Sequence, residues 1–220
     1  MQLLESEWLR QRLSTIPSED LFPLLNVGSS TYQFRTTVQP YIQRNLFAPL
    51  QARGGRVVHL DMKAAPGVDL VADLSEPSSQ QRITQLGVRS AMVCNLLEHV
   101  PDPHALIKDL LKVVPAGGYI IVSGPFQYPY HPDPIDNGFR PTVEQLSALF
   151  RGTELTDNAI IDSGNWRQWA APERGGRSLS RFLLRLALPF YRPKEWVRAV
   201  VQAPYLLKHV QAFAAVFRKL

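Results

Sequence analysis

A single cysteine, Cys94, stands among 220 residues. That excludes an internal disulfide framework and suits a reducing compartment, so a cytoplasmic protein is expected. Lying in an apolar run, Cys94 reads as a small buried hydrophobe rather than a reactive thiol. Long apolar runs are also missing, and none reaches the roughly 18 residues that a membrane span requires. No signal peptide is expected, because Glu5, Glu7, Arg10 and Arg12 interrupt the N-terminal leucines. Neither a Gly-x-Gly-x-x-Gly loop nor a Tyr-x-x-x-Lys pair occurs, which disfavours a short-chain dehydrogenase. There is no internal repeat and no low-complexity tract. What is present, 45% apolar and 20% charged residues, is ample for one continuous core and argues against disorder. A single domain spanning residues 1–220 is expected.

Acidic residues are scarce in one region only. From Arg174 to Leu220 ten Lys or Arg face one acid, Glu195, giving +9, whereas the chain before Arg174 carries −4. Such asymmetry points to an anionic partner or to a solvated helical face. Over Arg177–Leu188, Leu179, Phe182, Leu183 and Leu186 recur at helical spacing, and Arg177, Arg181 and Arg185 form a stripe four residues apart. With Phe190, Tyr191, Arg192, Lys194 and Trp196 following, the pattern fits either packing on the sheet or peripheral contact with an anionic membrane. Nucleic acid is a weaker choice, since no recognised motif accompanies the basic residues. Residues 174–210 are expected to form a basic helical insertion or cover.

Apolar runs alternate between strand and helix periods. Strands are expected at Leu24–Val27, Val57–Met62, Val68–Ala72, Met92–Leu97, Tyr119–Ser123 and Glu154–Ile161, and Gln211–Arg218 is either a closing edge strand or a last helix. Helices are expected near Met1–Leu13, over Pro77–Leu86, over Asp102–Val114 with Ala105, Leu106, Asp109, Leu110 and Val113 inward, and over Thr142–Phe150. Thr142 and Gln145 resemble a capping box. The alternation predicts an α/β fold with a largely parallel sheet. Three of the strands end abruptly in polar residues, carrying first Gly28, then Asp61 and Asp73, then Asn95, Glu98 and His99. Strand ends of this kind form the ligand crevice of an open parallel sheet.

In this order the segments LLNVGSS, VVHLDMKAAPGVDLVADLSE and AMVCNLLEHVPDP resemble the cofactor half of a class I S-adenosylmethionine-dependent methyltransferase, particularly the type 11 subgroup. The resemblance covers Leu24 to about Phe150. It implies a Rossmann-like, doubly wound sheet of about seven strands with the last antiparallel. It also implies S-adenosyl-L-methionine as cofactor and an unidentified acceptor: a small molecule, a sugar or a lipid-linked intermediate. Gly28 and Ser29 would form the first cofactor loop, with Ser30 where the family has a second glycine. Asp61 would accept the ribose hydroxyls, 33 residues after Gly28. Asp73 and Leu74 would meet the adenine, and Asn95 and Leu96 would lie under the methionine portion. His99 either positions substrate or caps the next helix. A related set of methyltransferases holds a metal here through two Glu and His residues. Asn95 replaces the first Glu, so no metal is expected; Glu98, His99 and His104 are too loose a trio.

The loop at residues 124–141 matches a stretch that in relatives walls the substrate pocket, with Tyr128, His131, Asp136 and Arg140 on the matching positions. His131 is either a general base for a hydroxyl acceptor or, with Asp136, a tie for a long loop. Methyl transfer depends mainly on holding the acceptor in line with the sulfonium, so no catalytic triad is expected. The competing reading is a methyltransferase-like protein that binds or scaffolds without turnover.

Overall fold

The computed structural model describes residues 1–131, 133, 135–165 and 179–220. Its seven strands are β1 (Leu24–Val27), β2 (Val57–Asp61), β3 (Leu70–Val71), β4 (Ser90–Cys94), β5 (Tyr119–Pro125), β6 (Thr153–Asp162) and β7 (Gln211–Lys219). They form one sheet in the order β3-β2-β1-β4-β5-β7-β6. The first five run parallel, and β7 lies antiparallel to both β5 and β6. This is the expected Rossmann-like sheet. The strand order reverses between β1 and β4, which is where such sheets open a ligand crevice.

Helices cover both faces, so the central strands are apolar at almost every position. Leu25 and Val27 of β1 pack with Val58, Leu60, Ile83 and Leu110 on one face. Leu24, one residue out of phase, packs with Leu9, Leu13, Leu46 and Phe47 on the other. The helix Leu3–Thr15 belongs to this second layer. The helix Val143–Leu149 begins with the expected capping box between Thr142 and Gln145.

Three expectations need correction. β4 ends at Cys94 instead of Leu97, because Asn95 takes a left-handed φ of 50° and Leu97–His99 coil into a 3-10 turn. The helix Pro103–Val113 buries Ile107, Leu110 and Val113, while Ala105 is exposed. Its inward face is thus rotated from the one expected, running through Pro103, Ile107, Leu110 and Val113. The C-terminal strand is no edge: β7 lies inside the sheet, paired with β5 on one side and β6 on the other. Of the expected helix over Arg177–Leu188, the described part is Leu179–Ala187. Arg174 and Arg177 lie outside the described residues.

Between β1 and β2 the chain makes a helical excursion that its periodicity conceals. Two π-helical stretches, Phe34–Val38 and Gln43–Phe47, alternate with α-helical turns at Pro40–Ile42 and Ala48–Ala52. Pro40 has no N–H to continue a ladder, and the Gln39 N–H closes back on Phe34 O at 2.9 Å. This excursion accounts for the long interval between Gly28 and Asp61, and it walls one side of the crevice.

Candidate functional site

The crevice is a cavity of about 1080 Å³ lined by the carboxyl ends of β1, β2 and β4 and by the loop after β5. Gly28, at φ 69°, turns the chain out of β1. A Cβ here would stand 2.8 Å from Leu96, so the leucine occupies the space that the missing side chain leaves. Ser30 follows at φ 55°, a left-handed position that a non-glycine residue adopts only when its surroundings hold it there. Asp61 supplies part of that hold: its two oxygens accept the N–H groups of Ser30 at 2.9 Å and Lys63 at 3.2 Å. Ser29 is buried, and its N–H donates to Leu60 O at 2.9 Å.

Arg35 completes the hold. Only 3% exposed, it donates to Ser29 O at 2.7 Å, Ser30 O at 2.8 Å and Gly67 O at 2.7 Å. One guanidinium thereby fastens the β1 loop to the β2 loop. Asp73 lines the same cavity, and its Oδ1 accepts the N–H and the hydroxyl of Ser75, both at 2.8 Å. Leu74 is buried beside it.

At the end of β4 the floor is polar, and Asn95, Ser123 and Glu5 engage one another. Asn95 donates through Nδ2 to Glu5 at 2.6 Å, and Ser123 donates its hydroxyl to the same carboxylate oxygen at 2.6 Å. Glu5, wholly buried, also accepts the Gln2 N–H at 2.8 Å. Cys94 lines the cavity beside this network, and burial pushes its thiol up to about 12. The inert reading of this cysteine therefore stands, although it is half-buried rather than fully enclosed.

The loop after β5 is pinned over the β4 end by Asn137. Its N–H donates to Glu98 O at 2.9 Å, and its Nδ2 donates to Leu97 O at 2.8 Å and Val100 O at 2.7 Å. His99 and His131 consequently meet edge to face, their ring centroids 5.1 Å apart. Carbonyl oxygens only accept, so each contact with one assigns a proton. His99 Nδ1–H donates to Ile135 O at 2.6 Å, and His131 Nδ1–H to Pro129 O at 3.1 Å. In each ring the basic nitrogen is then Nε2. Burial lowers the His131 pKa and outweighs the raising effect of Asp136, which keeps the imidazole neutral near pH 7.

Asp136 is enclosed and accepts the His131 N–H at 3.0 Å and Arg140 Nη2 at 2.7 Å. Burial works to raise its pKa, but the donors from His131, Arg140 and Gly138 prevail and hold it below the usual carboxylate range. Tyr128 packs its ring 4.7 Å from His131.

Glu98 is 1% exposed, and its Oε1 has no hydrogen-bond partner. Desolvation pushes this carboxyl up to about 6. Glu98, His99 and His131 each bring a donor atom within 4.8 Å of the others, so among the described residues this is where a cation would find ligands. His104 is not part of that group; it packs against Phe139 instead. Asn95, the position on which the expectation of no metal rests, turns its amide to Glu5 and offers no anionic ligand.

All the expected site residues except Asp136 and Arg140 therefore touch the cavity or its floor, and those two stand behind His131. Glu5, Arg35, Ser123 and Asn137 were not foreseen. All four are polar residues with at least one partner more than thirty positions away, and their surroundings in the sequence carry no signal of it.

No protein-family profile matches the chain, and no curated protein matches it in sequence. Solved structures do match. A SAM-dependent methyltransferase from Anabaena variabilis superposes with a TM-score of 0.58 at 12% identity, covering 96% of this chain and 82% of the other. Coclaurine N-methyltransferase, bound to N-methylheliamine and SAH, gives 0.54 at 12% identity over 99% of this chain and 70% of its own. The [4+2]-cyclase SpnF gives 0.50 at 20% identity over 97% and 80%. The chain has the class I S-adenosylmethionine-dependent methyltransferase fold.

Proposed function

We propose that this protein transfers a methyl group from S-adenosylmethionine to a small-molecule, sugar or lipid-linked acceptor. The observation that carries this reading is the cavity at the strand-order reversal, with Asp61, Asp73 and His131 among the residues that line it. Two similar structures are methyltransferases, one holding SAH, which supports the cofactor class. When bound, the cofactor supplies an electrophilic methyl group. Asp61 meets the ribose hydroxyls through lone pairs left over from its two backbone bonds. Asp73 and Leu74 border the adenine, and the backbone of Asn95 and Leu96 underlies the methionine portion. His131 takes the acceptor proton at Nε2, with Asp136 and Arg140 fixing its ring and Tyr128 walling the substrate side. Proximity then supplies most of the rate advantage.

A second reading, binding without methyl turnover, is favoured by the closed β1 loop, where Leu96 fills the space beside Gly28. SpnF, a cyclase of the same fold, shows that the fold alone does not dictate methyl transfer. Calorimetric titration with S-adenosylmethionine and SAH separates the two. The wild type is expected to bind both, and Asp61→Ala to lose about 1–3 kcal/mol while remaining folded by circular dichroism. Absence of binding by the wild type would exclude methyl transfer and favour the second reading. Cofactor binding is then followed by transfer of isotope-labelled methyl groups to a panel of acceptors.

A further inference from the structure

We infer that the C-terminal helical hairpin docks the protein on an anionic lipid surface. The helices Leu179–Ala187 and Pro193–Gln202 fold against each other through Phe182 and Ala199. Trp196 Nε1–H donates across the hairpin to Leu186 O at 3.0 Å, and Glu195 pairs with Arg185 and Arg192. The hairpin is therefore a built element with a core of its own. It nevertheless leaves large apolar side chains exposed. At the turn Phe190 is 95% exposed and Tyr191 75%, and beyond the second helix Leu207 is 90% exposed. Leu183, Leu184 and Leu188 on the first helix and Val197 and Val200 on the second are also exposed.

The same segment exposes Arg181, Arg185, Arg192, Lys194, Arg198 and Lys208, with Glu195 as the one acid in residues 179–208. A second copy of the chain would bring the same positive charge against this face. A bilayer carrying anionic headgroups accepts both features, taking the aromatic and leucine side chains at the headgroup boundary and the cations among the phosphates. No helix among the described residues is long and apolar enough to cross a membrane, so the contact is peripheral. The hairpin packs on Tyr128, which also lines the cavity. Resting on the methyl-transfer reading, docking would bring the cavity to acceptors held in the lipid phase, and so favours a lipid-linked acceptor.

The test uses the whole protein and vesicles of phosphatidylcholine with and without phosphatidylglycerol, at low and high salt, read by co-sedimentation. It measures no catalysis, so its failure is distinct from failure of the methyl-transfer reading. Binding is expected to require phosphatidylglycerol and to weaken with salt. Arg192→Gln with Lys194→Gln is expected to weaken it about 30-fold, at the usual strength of a basic residue near an anionic surface. Phe190→Ser with Leu207→Ser, which alters only exposed positions, is expected to abolish it. No binding at low salt would overturn the inference, as would equal binding to neutral vesicles. Self-association lost in the Phe190→Ser, Leu207→Ser protein, without vesicle binding, would assign the face to a second copy and overturn it too.

Discussion

The Glu5 carboxylate in the first helix accepts a hydrogen bond at 2.6 Å from Asn95, the residue just after β4 and ninety positions later. Ser123 of β5 donates to the same oxygen. The first helix is thereby tied to two strand ends at the floor of the cavity, and Asn95 is held at its left-handed φ. Removing the carboxylate leaves an amide and a hydroxyl buried without their acceptor. Glu5→Ala is expected to cost about 3 kcal/mol in urea denaturation, and Glu5→Gln, which keeps one acceptor oxygen, distinctly less. Equal stability of wild type and Glu5→Ala would show the network to be dispensable.

His131 gives two linked expectations. His131→Asn should lower turnover by about 10²–10⁴-fold and leave cofactor affinity unchanged. Because burial lowers its pKa, the acid limb of kcat/KM in the wild type should fall below pH 6.5, the ordinary histidine value. An acid limb above that value would point to another base. Chelating agents are expected to leave turnover intact, whereas a loss restored by manganese would make Glu98, His99 and His131 metal ligands.

Glu98 makes stability depend on pH in the opposite sense to most carboxylates. Its pKa rises on folding from 4.5 to about 6, chiefly through desolvation. Its contribution is complete below the unfolded value and is lost as pH climbs through the folded one. The loss is about 2 kcal/mol. Glu98→Gln should therefore gain stability relative to wild type as pH rises from 4.5 to 7, followed by thermal melting. A constant difference across that window would refute the assignment.

Cys94 borders the cavity, yet its thiol is pushed up to about 12. Native protein is expected to react with a chromogenic disulfide at neutral pH far more slowly than the urea-unfolded chain. Comparable rates would mean that the thiolate is accessible.

The sheet was legible because each central strand is an apolar run of strand length with turn residues behind it, as in YIIVSGP after Gly117-Gly118. The helical excursion at residues 34–52 was not, because its π-helical turns break the 3.6-residue period on which helix recognition depends. The end of β4 was misplaced for a related reason: Leu96 and Leu97 continue the apolar run, while the backbone has already turned at Asn95. Asp61, Asp73 and Asn95 could be placed at the crevice because polar groups at strand ends have few structural reasons to be there. Arg35 and Glu5 resemble any charged residue on a polar helix, and only the distant carbonyls and amides that they meet mark them out.

The position of β7 has a consequence for synthesis. β7 follows every other strand in the chain, yet it sits inside the sheet, between β5 and β6. As the polypeptide leaves the ribosome, β5 presents an unpaired edge and β6 has no neighbour at all until β7 emerges. Assembly therefore ends with an insertion rather than an addition. For that interval the nascent chain exposes two open strand edges that the finished protein hides, and these are the segments through which a stalled or truncated product would aggregate.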